Sequence, residues 1–421
     1  MKARILALLA LAALVVAGCA TSPATEAQKP VTGGAKNVIF LLTDGTGPEG
    51  WPLARWVKGA PLAVDEILVG AVRTYGADSI ITDSAPGATA YATGHKGTDK
   101  GISVGAWNTT IMAVRAEPDL KYVPLATLLE GARLSGRVVG LVATSNVQHA
   151  TPAAFSSHWH DRNNYNELAE QQVYHDMQVV LSGGLQYLLP KGVQGGKRED
   201  MENLVDVLKA HGYAVITTRD EMLKVGSGKV WGAFAPDAMA YDLDRAKTAP
   251  TEPSLAEMTG KAIELLAGSD KGRGRGFFLF VEGSKVDWAA HANQSGRLIE
   301  EMNDFGRSID AVIDWVHKNS DWGETLVIIT ADHETGYLTG PKSGQMTEGP
   351  VWNELAANGI GNLPAMEWHS GGHTNSLIPF FTKGRGAQSF KDTIDGYDPV
   401  RGPYIDNTDI ANTIFTLWNT R

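Results

Sequence analysis

The chain has one cysteine, Cys19, among 421 residues, so no disulfide can form within it. It has no surplus of positive charge. Its formal net charge is -10, which argues against nonspecific binding of nucleic acid but does not exclude a phosphorylated small substrate, because a bound cation overrides net charge locally. It has no internal repeat. Its one conspicuous terminal apolar run, Ile5 to Val16, is too short for a comfortable transmembrane helix. With 43% hydrophobic residues the chain is long enough for a large core in one big α/β domain or two smaller ones.

What is present at the N-terminus is a targeting pattern. Lys2 and Arg4 precede the apolar run, which ends Val16-Ala17-Gly18-Cys19. This is similar to the lipobox of bacterial lipoproteins, in which the cysteine becomes the lipidated first residue. The expected division is a signal peptide at 1–18, a flexible tether at 19–35 and a catalytic domain at 36–421. The localisation that follows is periplasmic or cell-surface, anchored through lipid at Cys19.

Four continuous apolar runs read as buried parallel strands: Asn37 to Thr43, Val138 to Thr144, Phe277 to Val281 and Thr325 to Thr330. Leu377 to Phe381 is a weaker fifth. Helical patterns lie between them, at Leu125–Leu134, Met201–His211, Leu255–Leu266 and Leu298–His317. Strand alternating with helix predicts an α/β fold, a central and mostly parallel sheet with helices on both faces. Polar residues gather where the runs end: Asp44, the segment Thr144–Thr151, Glu282, and Asp332-His333. Ligand sites in such sheets form outside the carboxyl ends of strands, so these residues are expected to converge there. The segment 341–364 lacks periodicity and reads as a long surface excursion near the site.

One stretch stands out, Thr82-Asp83-Ser84-Ala85-Pro86-Gly87 through Gly94. Thr82 and Asp83 suit a helix cap, Pro86 the first turn and Gly94 the end. Ser84 then sits at the positive end of a helix, a position that favours an alkoxide and an attached phosphoryl group; a capped helix with an ordinary serine is the bland alternative. Asp287 and His291 are four apart and share a helical face, which suits zinc as well as it suits a surface pair. Glu282 can serve a harder cation such as magnesium. His373 lies between glycine-rich and small residues that permit close approach.

Together these segments identify the chain as similar to alkaline phosphatases from about Lys36 to the C-terminus. The matching motifs are DG at 44–45, DSAPGATAYATG at 83–94, QHATPAA at 148–154, DRNN at 161–164, VEGSKVDWAAHAN at 281–293, ADHETG at 331–336, GHT at 372–374 and the closing DNTDIANTIF at 406–415. The resemblance implies that Ser84 is the nucleophile that becomes phosphoserine. It implies Asp287, His291 and His373 as ligands of a first zinc, which would activate water. Asp44, Asp332 and His333 would hold a second zinc, against the serine oxygen. Asp44, Thr151 and Glu282 would hold magnesium, and Arg162 would grip phosphate with Asp83 orienting it. Two zinc and one magnesium are thus the implied cofactors, small phosphate monoesters the substrates, and a homodimer the assembly.

The residue types agree with the chemistry. A planar guanidinium can donate two hydrogen bonds to a phosphate dianion. Two metals about 4 Å apart can stabilise attacking and leaving oxygens. The chain departs from the family at Thr46 and at Pro86-Gly87. His149 and Trp288 also stand where one branch of the family has Asp and Lys. A neutral imidazole near the third site predicts less strict magnesium selectivity there. Rival readings are a phosphodiesterase or sulfatase of the same superfamily, and a non-enzymatic metal- or phosphate-binding surface lipoprotein.

Overall fold

The computed structural model describes residues 34–344 and 352–420. The signal segment, Cys19 and the tether up to residue 33 lie outside the described residues.

Strand β1, Asn37–Thr43, shows why the sheet is where it is. All seven residues are buried, and successive side chains enter different layers. Ile39 and Leu41 join one apolar layer; Val38, Phe40 and Leu42 join the other. A strand with both faces covered needs no polar alternation, which explains the continuous apolar run. The same alternation runs through Phe277–Gly283 and Thr325–Ala331. Phe277, Leu279, Val327 and Ile329 face the first layer; Phe278, Phe280, Leu326 and Ile328 face the second. Phe40 meets Tyr91, Phe155 and Phe280 edge-on at 5.7–5.8 Å, in the offset geometry that aromatic quadrupoles favour.

Helices supply the two covers. On the first face lie Gly50–Lys58, Leu255–Asp270 and the 25-residue Ser295–Asn319. Leu298, Met302, Phe305, Ile309, Val312 and Val316 recur at alternating steps of four and three along that last helix and make its buried stripe. On the second face lie Ser84–Thr93, Leu128–Leu134, Ala150–Ser156 and Thr408–Trp418.

The remaining strands are β2 (Leu68–Arg73), β3 (Val138–Asn146), β4 (Val179–Gly183), β5 (Tyr213–Ile216), β6 (Lys229–Ala233), β7 (Phe277–Gly283) and β8 (Thr325–Ala331). After them come the two-residue strands β9 (Glu334–Thr335), β10 (Leu338–Thr339), β11 (Glu367–Trp368) and β12 (His373–Thr374), then β13 (Ile378–Gly384), β14 (Gly396–Asp398) and β15 (Gly402–Asp406). The large sheet has the order β14-β15-β2-β13-β8-β1-β7-β3-β4-β6-β5. Its centre, from β8 to β5, is wholly parallel. The expected α/β architecture is therefore present. The weak fifth run is a strand too, but β13 runs antiparallel to both β2 and β8. Apolar content alone carries no strand direction, and the short β4, β5 and β6 gave no distinct run.

Register places the chemistry. Thr43 of β1 pairs with Gly283 and with Ala331, so Asp44, Glu282 and Asp332 leave the sheet at one level. Part of the 341–364 excursion is described. Trp352, Ile360 and Leu363 are exposed there, as a surface segment requires. No helix among the described residues is long and apolar enough to cross a membrane.

Candidate active site

Ser84 is the first residue of the Ser84–Thr93 helix, with Asp83 at the N-cap and Gly94 in the left-handed conformation at its end. Tyr91 anchors the helix by donating its hydroxyl to the Ala331 carbonyl, 2.8 Å away, at the end of β8. Ser84 is thereby pressed against the sheet edge. Its Oγ lies 3.2 Å from His333 Nε2 and 3.4 Å from Asp44 Oδ1. The backbone N–H groups of the first turn and the helix dipole favour negative charge at this point.

Three imidazoles meet here, and each is held in one tautomer. His291 Nδ1 donates to the Gly371 carbonyl at 2.7 Å, and His373 Nδ1 donates to the Thr82 carbonyl at 3.0 Å. Their Nε2 atoms then face each other across 3.0 Å, and with Nδ1 committed each neutral ring offers an Nε2 lone pair. His333 is fixed by Thr335. The Thr335 hydroxyl donates to Asp287 Oδ1 at 2.7 Å, so from His333 Nδ1, 3.2 Å away, it can only accept. The β9–β12 ladder sets this contact by pairing His373 with Thr335. Lone pairs that face one another need a cation between them, as do carboxylates packed beside them.

The carboxylates complete three groups. Asp287 Oδ2 is 3.3 Å from His291 Nε2, and Asp287 Oδ1 is 3.7 Å from His373 Nε2. Asp44 and Asp332 lie 3.5 and 3.3 Å from His333 Nε2. Asp332 Oδ1 is occupied by the N–H groups of Gly45 and His333, which turns its other oxygen inward. The first two groups adjoin, because Asp287, His333 and His373 also bring ligand atoms within 4.8 Å of one another. Asp44, His149 and Glu282 form the third group on the same criterion. Ser284 donates to Glu282 Oε2 at 2.5 Å, whereas the buried Glu282 Oε1 makes no hydrogen bond. Thr151 is buried on the adjacent helix Ala150–Ser156.

Burial first, then the charges of Asp332, Asp287 and Glu282, hold the Asp44 carboxyl well above the usual range. Burial likewise pushes Glu282 up to about 8, with Asp332 adding to it. His291 rises to about 9 through its hydrogen bond to Asp287. In all three cases the surroundings favour the protonated form, as they would favour a bound cation. The donor set fits divalent metals: nitrogen and carboxylate oxygen for the first two groups, mostly oxygen for the third.

Arg162 lies at the rim on a strap anchored by its own N–H to the Lys100 carbonyl at 2.9 Å. It pairs with Asp83, the residue before Ser84. Burial works against Asp83, yet the Arg162 charge and hydrogen bond bring its carboxyl below the usual range. Arg162 Nη2 also donates to His149 Nε2 at 3.0 Å, and burial with that neighbouring charge lowers His149 to about 3. Trp288 meets His149 edge-on at 5.6 Å.

Every catalytic and metal-site residue expected from the sequence is thus at this edge, while Cys19 lies outside the described residues. His149 stands closer in than expected. It was expected as support around the third group, and one of its ring nitrogens lies within 4.8 Å of carboxylate oxygens of Asp44 and Glu282. Three residues were not anticipated: Thr335, Ser284 and Ser145, the last of which donates to Glu282 Oε2 at 3.4 Å. Each sits within or beside a matching motif; Thr335 and Ser145 act on partners far away in sequence, Ser284 on Glu282 two residues before it.

A serine at a helix start, ringed by carboxylates and imidazole nitrogens at the carboxyl edge of a parallel sheet, defines a metal-dependent hydrolase of anionic esters. The family model for alkaline phosphatase matches residues 35–357. Alkaline phosphatase 3 of Bacillus subtilis strain 168 is 37% identical over 341 residues, covering 79% of this chain and 68% of that protein. Alkaline phosphatase 4 of the same organism is 30% identical, covering 94% and 91%. The structure of the alkaline phosphatase from the Antarctic bacterium TAB5 superposes with a TM-score of 0.73 at 27% identity, covering 92% of this chain and 99% of that one. A His-to-Asp variant of the TAB5 enzyme, with magnesium bound in its M3 site, superposes at 0.72. The chain belongs to the alkaline phosphatase family.

Proposed function

We propose that this chain hydrolyses phosphate monoesters in two displacements through Ser84, with Arg162 holding the phosphoryl group. The observation that carries this reading is the position of Ser84 Oγ, at a helix N-terminus and within 3.5 Å of both His333 Nε2 and Asp44. In the first displacement the bond from phosphorus to the leaving oxygen breaks as Ser84 Oγ bonds to phosphorus. In the second, water replaces Ser84 Oγ and releases inorganic phosphate. Splitting one difficult step in two lowers each barrier.

Zinc held by Asp287, His291 and His373, zinc held by Asp44, Asp332 and His333, and magnesium held by Asp44, Thr151 and Glu282 would supply positive charge and a lowered water pKa. The protein's own part is orientation. Asp83 holds the guanidinium beside Ser84, and Arg162 can turn two N–H groups toward non-bridging oxygens. Thr335 keeps the proton of His333 on Nδ1, away from Ser84. His149 adds a nitrogen to an oxygen site, which supports weaker discrimination against zinc there.

Ser84→Ala should lose most turnover of an aryl phosphate while keeping bound metal and thermal stability. Labelled phosphate trapped on any other residue would defeat the assignment. The reading extends to a lipid-anchored, periplasmic or cell-surface homodimer. Its anchor is checked by fractionation: Cys19→Ser should leave the membrane fraction or stall in processing, and an unlipidated wild-type chain would end that part of the proposal.

A further inference from the structure

A second acid-and-histidine cluster lies away from the catalytic edge. Glu130 is in the first turn of the helix Leu128–Leu134, His158 is just past the end of Ala150–Ser156, and His175 caps the helix Tyr165–Tyr174. Their ligand atoms all lie within 4.8 Å of one another. Glu130 Oε1 is 3.0 Å from His158 Nε2 and 3.3 Å from His175 Nε2. Neighbouring ligands on a tetrahedral zinc, with bonds near 2.0–2.1 Å, stand about 3.3 Å apart, so these spacings already match.

The side chains are also held as ligands are. Glu130 Oε2 accepts from the Thr127 N–H at 2.9 Å in a capping box, which aims Oε1 at the two rings. His158 Nδ1 donates to the Ser103 carbonyl at 2.9 Å, so its Nε2 turns a lone pair toward a carboxylate. Two acceptors facing each other require a proton or a metal between them. The Arg133 guanidinium does not fill that place. It donates to the His175 carbonyl oxygen and lies 3.7 Å from Asp176 Oδ2, while its Nη1 is 3.5 Å from His175 Nδ1, the outer limit of a hydrogen bond. The trio lines a cavity of 840 Å³ that can supply a water as fourth ligand.

We propose that Glu130, His158 and His175 bind a divalent transition metal of the zinc type, separate from the ions of the catalytic edge. The site ties three segments together. One of them is the strap that runs from His158 to Arg162, where Gln171 pairs with the His158 backbone, Trp159 with Ile102 and Arg162 with Lys100. The metal is a structural clamp on the segment that carries the phosphate-gripping arginine.

Crystals of the wild-type chain grown in zinc should show anomalous scattering at the zinc edge between these three side chains. In equilibrium dialysis against zinc, the double variant His158→Gln/His175→Gln should bind one equivalent less than wild type. Glu130→Gln, which keeps the helix cap, should weaken that equivalent at least tenfold. Zinc density confined to the catalytic edge overturns the proposal, and so does an unchanged stoichiometry in the double variant. If the double variant fails to fold, the crystals alone decide.

Discussion

Asp44, Asp332 and His333 sit at the ends of β1 and β8 with no exposed surface, whereas His291, His373 and Arg162 sit on a helix end, a two-residue strand and a strap, each partly open to solvent. The inner group is placed by sheet register. Thr43 opposite Ala331 brings Asp44 and Asp332 together whatever their side chains prefer. The outer group is placed by hydrogen bonds from separate segments, to the carbonyl oxygens of Gly371, Thr82 and Lys100 and, for the Arg162 guanidinium, to Asp83 and His149. Charge that must be fixed is built on strands; groups that meet substrate and water are held on segments able to adjust.

The comparison breaks most sharply at Asp332. Asp332→Asn should lower aryl phosphate turnover by about 10²–10³-fold, the scale for removing one fixed stabilising group, and should cost one bound zinc. Full zinc content in that variant would show that the inner group is not a metal site. Arg162→Ala tests the rim. A charge-assisted two-point contact supports a loss of about 2–3 kcal/mol for a monoester. A diester, with one fewer charged oxygen, should lose much less. Equal losses for both would take Arg162 out of this role.

Metal-free protein should expose the electrostatic cost of the carboxylates at the catalytic edge. Folded Glu282 keeps its proton up to about pH 8, against 4.5 for an unperturbed glutamate. Between those limits the folded chain binds more protons than the unfolded one, so stability falls as pH rises. His291, raised from 6.5 to about 9, continues the same slope above neutrality. The melting temperature of chelated protein should therefore drop from pH 6 to pH 9, and zinc with magnesium should flatten the profile. A metal-free chain equally stable at both pH values would contradict this account.

The smallest effect is expected at His149. His149→Asp, alone or with Trp288→Lys, should raise magnesium affinity and reduce competition by excess zinc, with modest change in turnover. Unchanged magnesium affinity in both variants would place His149 outside the third group's chemistry.

Much of this was legible in residue order. The four central strands read directly, since a strand buried on both faces is apolar throughout. Ser84, the six residues expected to hold zinc, and Arg162 could be picked out as candidates through their motifs, and the fold gathers them at one edge. Strand direction at β13 was not, because an apolar run is the same read either way. The part played by Thr335 was hidden for another reason. Its hydroxyl is committed by a two-residue ladder to β12 and by Asp287, neither of which is near it in sequence. Tautomers are likewise set by carbonyl groups that no side-chain pattern reports. Glu130, His158 and His175 carry no spacing rule at all, since three separate segments supply them.

The helix that ends the chain, Thr408–Trp418, packs on the helix that begins with Ser84. Asn412 Nδ2 donates to the Gly94 carbonyl at 3.3 Å, and a side chain at Gly94 would strike the Asn412 carboxamide. Trp418 donates in turn to the Ala35 carbonyl, just ahead of β1. The nucleophile is thus braced from far along the chain, since Gly94 and Asn412 are 318 positions apart. The seat of Ser84 closes only when this distant helix has docked, and such long-range contacts form late in folding. A chain whose Thr408–Trp418 helix is undocked holds every chemical group of the site and still lacks the brace that aims its serine.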